Sequence, residues 1–210
     1  MKQNTVAPAS RASSQNRTHS SSESQIPQGD ERDRATAYRA LLPAILTAFA
    51  AALVLRLLYL WEYSFDPTWT LSILDQKYNA DIARKLLESG PPEGPWFRPP
   101  GYPIFLAIVR AITGDGFWGV RIIQAIIGAA SAALVAVLAG RVFPAPAAWI
   151  AGLAMAAYGP LIVSDAEVLS PVLVIFLNTL MLLAIIETRR TGALGWPLIA
   201  GLSAGLSTIV

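Results

Sequence analysis

Residues 41–60 read LLPAILTAFAAALVLRLLYL, twenty residues whose single charge is Arg56. At about 1.5 Å per residue, a helix of this length crosses a bilayer core of about 30 Å. Arg56 lies one turn from the end and is expected to snorkel to the interface, where Tyr59, Trp61 and Tyr63 form an aromatic belt. Ala48, Ala50 and Ala51 resemble a cleavage site but lie inside the run, which points to an uncleaved anchor. Working downstream, apolar runs recur at about 120–140, 145–163 and 169–186. A last run, 196–210, gives only about 22 Å of helix and is expected to be an incomplete span. The fold expected is all-α: a polytopic transmembrane helix bundle, the N-terminal part of a larger membrane protein.

Composition supports this reading. Of 210 residues, 54% are hydrophobic and 14% charged, against about 25% charged in a soluble domain. Ten of the 30 charged side chains fall in the first 40 residues, so the remainder is more apolar still. There is no cysteine, which excludes a disulfide scaffold and a Cys-based metal site. The one histidine, His19, lies in the polar N-terminal stretch, so a histidine-dependent triad or metal cage is not expected. Basic residues are scattered, and a pI of about 9.1 does not point to nucleic acid. Residues 1–40 are rich in Ser, Thr, Gln, Asn and Arg, and read as a disordered cytoplasmic tail.

Residues 61–117 are mixed in polarity and rich in Pro, Gly and Trp, too long for a hairpin connection. Ser72–Leu87 reads as an amphipathic helix lying on the membrane. Leu74, Tyr78, Ile82 and Leu86 recur on one side, and Asp81 is spaced to pair with Lys85. Gly90-Pro91-Pro92 stops it, and a second short helix is expected near Tyr102 with Pro103 in its first turn. Arg32, Arg34 and Arg39 precede the first span and place the N-terminus inside. Arg141 and the stretch Glu187-Thr188-Arg189-Arg190 then also fall inside. The loop Tyr158–Glu167, with two acids and no Lys or Arg, falls outside, together with 61–117.

Asp75, Asp165 and Glu167 thereby gather at one membrane face, with Lys77, Arg84, Lys85 and Arg98 nearby. Acids in such a place serve as a general base or as oxygen ligands for a divalent cation, and basic groups hold phosphate. The favoured chemistry is group transfer involving an anionic, lipid-borne substrate. Ordinary solvated loop charges are the alternative.

The spelling of the loop sharpens this. Leu74-Asp75-x-x-Tyr78-x-x-x-Ile82-Ala83-x-x-Leu86-x-x-x-Gly90 is followed by Phe97-Arg98-Pro99-Pro100-Gly101-Tyr102-Pro103-x-Phe105-Leu106-Ala107. Arg121-x-x-Gln124-x-x-x-Gly128, Ala151-Gly152-Leu153, Tyr158-Gly159-Pro160 and Glu167-x-Leu169 come next. In this order the chain resembles the front half of polytopic GT-C glycosyltransferases, over about residues 41–210. Among these it resembles the protein mannosyltransferase-related, Rgt-like group, which includes relatives of the lipid A aminoarabinose transferases.

The resemblance implies a multi-pass plasma (inner) membrane enzyme with an extracytoplasmic active site. It would transfer a hexosyl or pentosyl group from a polyprenyl-phosphate-type donor to a glycan, lipid or protein acceptor. It also implies that Asp75 is the catalytic base; many members carry Asp-Glu there, and here the second residue is Gln76. Tyr78, Arg98, Tyr102, Arg121 and Glu167 are the substrate-binding candidates. Asp75 and Glu167 are the candidate ligands for a divalent cation (Mg²⁺, Mn²⁺ or Zn²⁺). Bland readings stand beside these: a helix-start acid for Asp75, an interface aromatic for Tyr78, packing for Tyr102, snorkelling for Arg121 and a solvated loop tip for Asp165. A transporter or flippase, or a non-catalytic scaffold subunit, are the rival functions. The charge pattern itself is testable: cysteines at positions 70 and 93 should react with impermeant thiol reagents from outside and a cysteine at 190 should not, and outside labelling at 190 would reverse the orientation.

Overall fold

A computed structural model describes residues 28–70, 74–91 and 94–210, with side chains from residue 40 onward. Every regular element among them is helical. Helix α1 is Gln28–Tyr63, α2 Asp75–Glu88, α3 Gly101–Thr113, α4 Phe117–Val142, α5 Pro146–Ala156, α6 Gly159–Ala166, α7 Pro171–Thr191 and α8 Gly195–Ile209. Ala40–Tyr63 of α1, α4 and α7 are each long and apolar enough to cross a membrane, and α5 with α6 forms a fourth, bent candidate. Helix α8, at 15 residues, is a shorter apolar helix packed on α7.

Three expectations change. The stretch taken as disordered to residue 40 is helical from Gln28, while residues 1–27 lie outside the described residues. Asp30, Glu31 and Asp33 suit a helix N-terminus, and Ala and Arg carry the helix into the span without a breaker. The run 145–163 is not one straight span: it breaks at Ala157-Tyr158, and α5 and α6 meet at 50°. Pro160 in the first turn of α6 explains the break, because its ring cannot continue the preceding helix. The run expected to end at 186 continues as helix through Glu187–Arg190, the last turns of α7, which is capped by Gly192 in the left-handed region (φ 65°).

The bundle is built inside out relative to a soluble protein. Helices α1, α4 and α5 meet through Ala44, Ala48, Ala52, Ala129, Ala132, Ala136, Ala148, Gly152 and Ala156. Leu46, Val54, Leu58, Ile126, Ile150 and Leu202 are exposed where lipid would lie. Lipid tails are as apolar as leucine, so contact between spans comes from close van der Waals packing, which small residues allow. A Cβ on Gly152 would stand 2.8 Å from the Cβ atoms of both Ala48 and Ala136.

Arg56 does not snorkel. It is buried, and its Nε donates to Asp165 Oδ2 at 2.6 Å while Nη1 donates to Ala52 O at 3.2 Å. Asp165 is correspondingly not a loop tip but a buried residue in α6. A charge on a span is costly in lipid unless it faces the bundle and finds a counter-charge. Arg56 and Asp165 pair and tie α6 to α1, with Arg56 Nη2 left buried without a hydrogen bond. At the other end of the bundle, Arg141 Nε meets Glu187 Oε1 at 2.7 Å and ties α4 to α7, again with both side chains buried.

Gly128 of α4 lies directly under the Arg56–Asp165 pair, and a Cβ there would overlap the Asp165 carboxylate and stand 2.5 Å from Arg56 Nε. Gly128→Ala should therefore destabilise the fold by about 1–3 kcal/mol, the usual cost of overpacking. Gly201→Ala, with nothing within 4 Å, should be neutral or slightly stabilising. Thermal unfolding in mild detergent compares the two, and equal melting points would show that the pair has room to move.

Candidate functional site

Helices α2 and α3, between the first two long apolar helices, form the platform for the site. Asp66 opens it: Thr68 N and Thr68 Oγ1 both donate to Asp66 Oδ1, at 2.7 and 2.5 Å. This turn carries Trp69 inward, where it stacks against Tyr63 and Trp118. Helix α2 packs on α3, and α3 packs on α4 through Ala83, Tyr102, Leu106, Val109 and Val120, with Val168 of the α6–α7 connection joining them. Asp75 begins α2. Leu74, just before it, has φ 47°, the only positive φ of a non-glycine among the described residues, so local backbone strain borders the candidate catalytic acid.

Asp75 Oδ1 and Arg98 Nη1 are 2.8 Å apart, both about half exposed, at a cleft of about 320 Å³. Asn79, Pro99, Tyr102, Leu169, Ser170, Pro171 and Val210 line the rest, so the cleft lies between the α2–α3 platform, the start of α7 and the residue after α8. The Arg98 guanidinium also lies 5.5 Å from the Tyr78 ring centre and 6.0 Å from that of Phe97. Tyr78 thus buttresses Arg98. Asn79 was not singled out from the sequence, although its i+4 spacing from Asp75 puts the two on one helical face. Ser170-Pro171 was also missed; the signal was Pro at the first helical position of α7.

Electrostatics follow from these contacts. The hydrogen bond from Arg98 holds the Asp75 carboxyl below the usual carboxylate range, and the same bond raises Arg98. Asp75 is therefore ionised at neutral pH but is a weakened base while Arg98 holds it. Burial pushes the Tyr102 phenol far up, so it stays protonated. Its hydroxyl is turned toward the Gln124 side chain, and neither that hydroxyl nor Gln124 Oε1 makes another hydrogen bond. Gln124 Nε2 donates to Glu167 O at 3.1 Å and to Leu169 O at 3.3 Å, which fixes the wall of the cleft.

Asp75, Arg98 and Tyr102 come together at the cleft, with Tyr78 behind Arg98; Arg121 and Glu167 are not among its lining residues. Arg121 is fully buried, not snorkelling. Its Nε donates to Ala166 O at 2.7 Å and its Nη1 to Trp69 O at 3.0 Å, with the guanidinium 3.8 Å from the Trp69 ring centre. Glu167 is half-buried at the C-terminal end of α6 and does not line the cleft with Asp75. The two candidate metal ligands are thus not brought to one cleft. No group of three or more Asp, Glu, His or Cys able to hold a metal occurs among the described residues. The donor set near Asp75 does not fit a divalent cation: its carboxylate already faces a guanidinium.

A membrane-embedded helix bundle with a polar cleft on its loop helices places the chain among integral-membrane proteins, and the sequence comparison defines its class as membrane glycosyltransferases. The profile of the dolichyl-phosphate-mannose-protein mannosyltransferase family matches residues 97–210, more than half of the chain, and the chain belongs to that family. The match includes Arg98, Tyr102, Arg121 and Glu167, and begins after Asp75 and Tyr78. No curated protein and no solved structure matches the chain.

Arg121 should behave as a structural residue. Arg121→Lys keeps the charge but loses the planar fork that meets two carbonyls and a ring. A loss of about 1–3 kcal/mol of stability and a red-shifted tryptophan emission are expected. Unchanged unfolding with weakened substrate affinity would instead make it a substrate contact.

Proposed function

We propose that this chain carries the acceptor-activating part of a transferase that uses a polyprenyl-phosphate-type sugar donor at the extracytoplasmic face, in the Rgt-like, protein mannosyltransferase-related branch. The observation that carries the reading is the Asp75–Arg98 pair at the mouth of the cleft: a carboxylate and a phosphate-matching cation side by side on the membrane-proximal platform. The acceptor hydroxyl gives its proton to the Asp75 carboxylate as its oxygen bonds to the sugar's anomeric carbon. The bond from that carbon to the phosphate oxygen breaks, and the polyprenyl phosphate leaves with the electron pair. Arg98 stabilises the charge on the leaving phosphate, where bidentate guanidinium–phosphate bonds fit. Tyr102, protonated and buried, shapes the cleft floor. No step requires a metal.

The transporter reading gains the break between α5 and α6 and the buried Arg56–Asp165 pair, both of which occur along transport pathways. The pair sits in a void without room for a water molecule, however, and so lines no route. The transferase reading is favoured.

Asp75→Asn removes the proton acceptor but keeps its size. In membranes at matched expression, transfer from a panel of radiolabelled polyprenyl-phosphate sugars should fall about 10²–10⁴-fold. Glu167→Gln should cost less. Near-normal turnover by Asp75→Asn would remove Asp75 as the base.

A further inference from the structure

Building on that reading, we propose that Arg98 is a substrate-operated latch on Asp75: an arriving phosphate takes the guanidinium from the carboxylate, and the base is freed only when the donor is in place. Among the described residues lining the cleft, Arg98 is the single cationic side chain and Asp75 the single acidic one. An anion entering the cleft therefore meets one cation, and that cation is already engaged at 2.8 Å. Both side chains are about half exposed, 40% for Arg98 and 52% for Asp75, so exchange of partners does not require the fold to open. The Tyr78 and Phe97 rings lie beside the guanidinium at 5.5 and 6.0 Å and contact each other edge to face. A donor phosphodiester carries one negative charge, as a carboxylate does, and presents two oxygens in the same bidentate geometry, so it competes for the fork.

The consequence is ordered chemistry. With Arg98 on Asp75 the carboxylate is held below its usual range and is a poor base. With Arg98 on phosphate, Asp75 regains basicity beside a now-neutralised leaving group. The donor is thus activated and the base released by one movement. Hydrolysis of the donor by water before an acceptor arrives is not suppressed by this device, so it orders donor before base and nothing more.

The test is a double-mutant cycle on ligand binding, which needs no turnover. Radiolabelled farnesyl phosphate is titrated into the chain in phosphatidylcholine nanodiscs, with inorganic phosphate as a competing arm. Arg98→Gln should weaken binding about 10-fold or more, and Arg98→Lys should restore part of it. Asp75→Asn should tighten binding about 2–5-fold, the scale expected for a half-exposed pair, and should do so only where Arg98 is present. The same tightening in the Arg98→Gln background would show that Asp75 merely repels phosphate and would overturn the latch, as would unweakened binding by Arg98→Gln. Competition by inorganic phosphate at the concentration of the lipid would assign the exchange to phosphate from solution; its failure to compete would assign it to lipid-borne phosphate. Coupling without sugar transfer from any donor would sink the transferase reading and keep the latch. Transfer without coupling would do the reverse.

Discussion

The contact between Arg56 and Asp165 sets the half of this molecule that carries the loop helices. A guanidinium on a transmembrane helix must be matched, and the match here comes from a different span. Satisfying it holds α6 against α1 and keeps α6 from continuing the line of α5. It also requires the absence of a side chain at Gly128, which is why α4 can pass so close. With α6 fixed, the carbonyls of Ala166, Glu167 and Leu169 fall where Arg121 and Gln124 of α4 read them. Those bonds place Leu169-Ser170-Pro171, and this segment is one wall of the cleft. A buried ion pair far from any chemistry thereby positions the surface where chemistry is proposed.

The spans were legible because hydropathy and length are nearly sufficient for a helix in lipid. Runs near 41–60, 120–140 and 169–186 became α1, α4 and α7; α1 and α4 extend at both ends, while α7 starts two residues later at Pro171 and extends to Thr191. Ser72–Leu87 became α2 through its periodicity; its first two residues lie outside the described residues. What hydropathy cannot carry is which charges meet. Arg56 and Asp165 are 109 positions apart, and each has an adequate local explanation, snorkelling for one and a solvated loop for the other. Only the packed bundle distinguishes these from pairing. The spacing that suggested Asp81 with Lys85 was equally available to Arg84 and Glu88, and the structure pairs the latter at 3.1 Å.

At the site, the motif order brought Asp75, Arg98 and Tyr102 into view together because they lie close in sequence, on two adjoining helices and the connection between them. Arg121 looked like a phosphate ligand for the same reason that it is a good structural residue: a guanidinium binds backbone carbonyls and aromatic faces as readily as oxyanions. Its aromatic surroundings, Tyr63, Trp69 and Phe117, come from three separate segments and were not readable as one cage. The pairing of Asp75 with Arg98 was also invisible, and it changes the chemistry most, since it sets how basic the carboxylate is at rest.

The break between α5 and α6 has a consequence for the reach of the bundle. Eleven and eight residues rise by about 16 and 12 Å, and the 50° elbow leaves the two legs unable to stand along one normal. Their combined reach falls short of the ordinary hydrocarbon thickness of about 30 Å. Straight neighbours of 26 and 21 residues have no such shortfall. The flank formed by α5 and α6 is therefore shorter along the bundle than its straight neighbours, and it lies beside the loop helices on which the cleft rests.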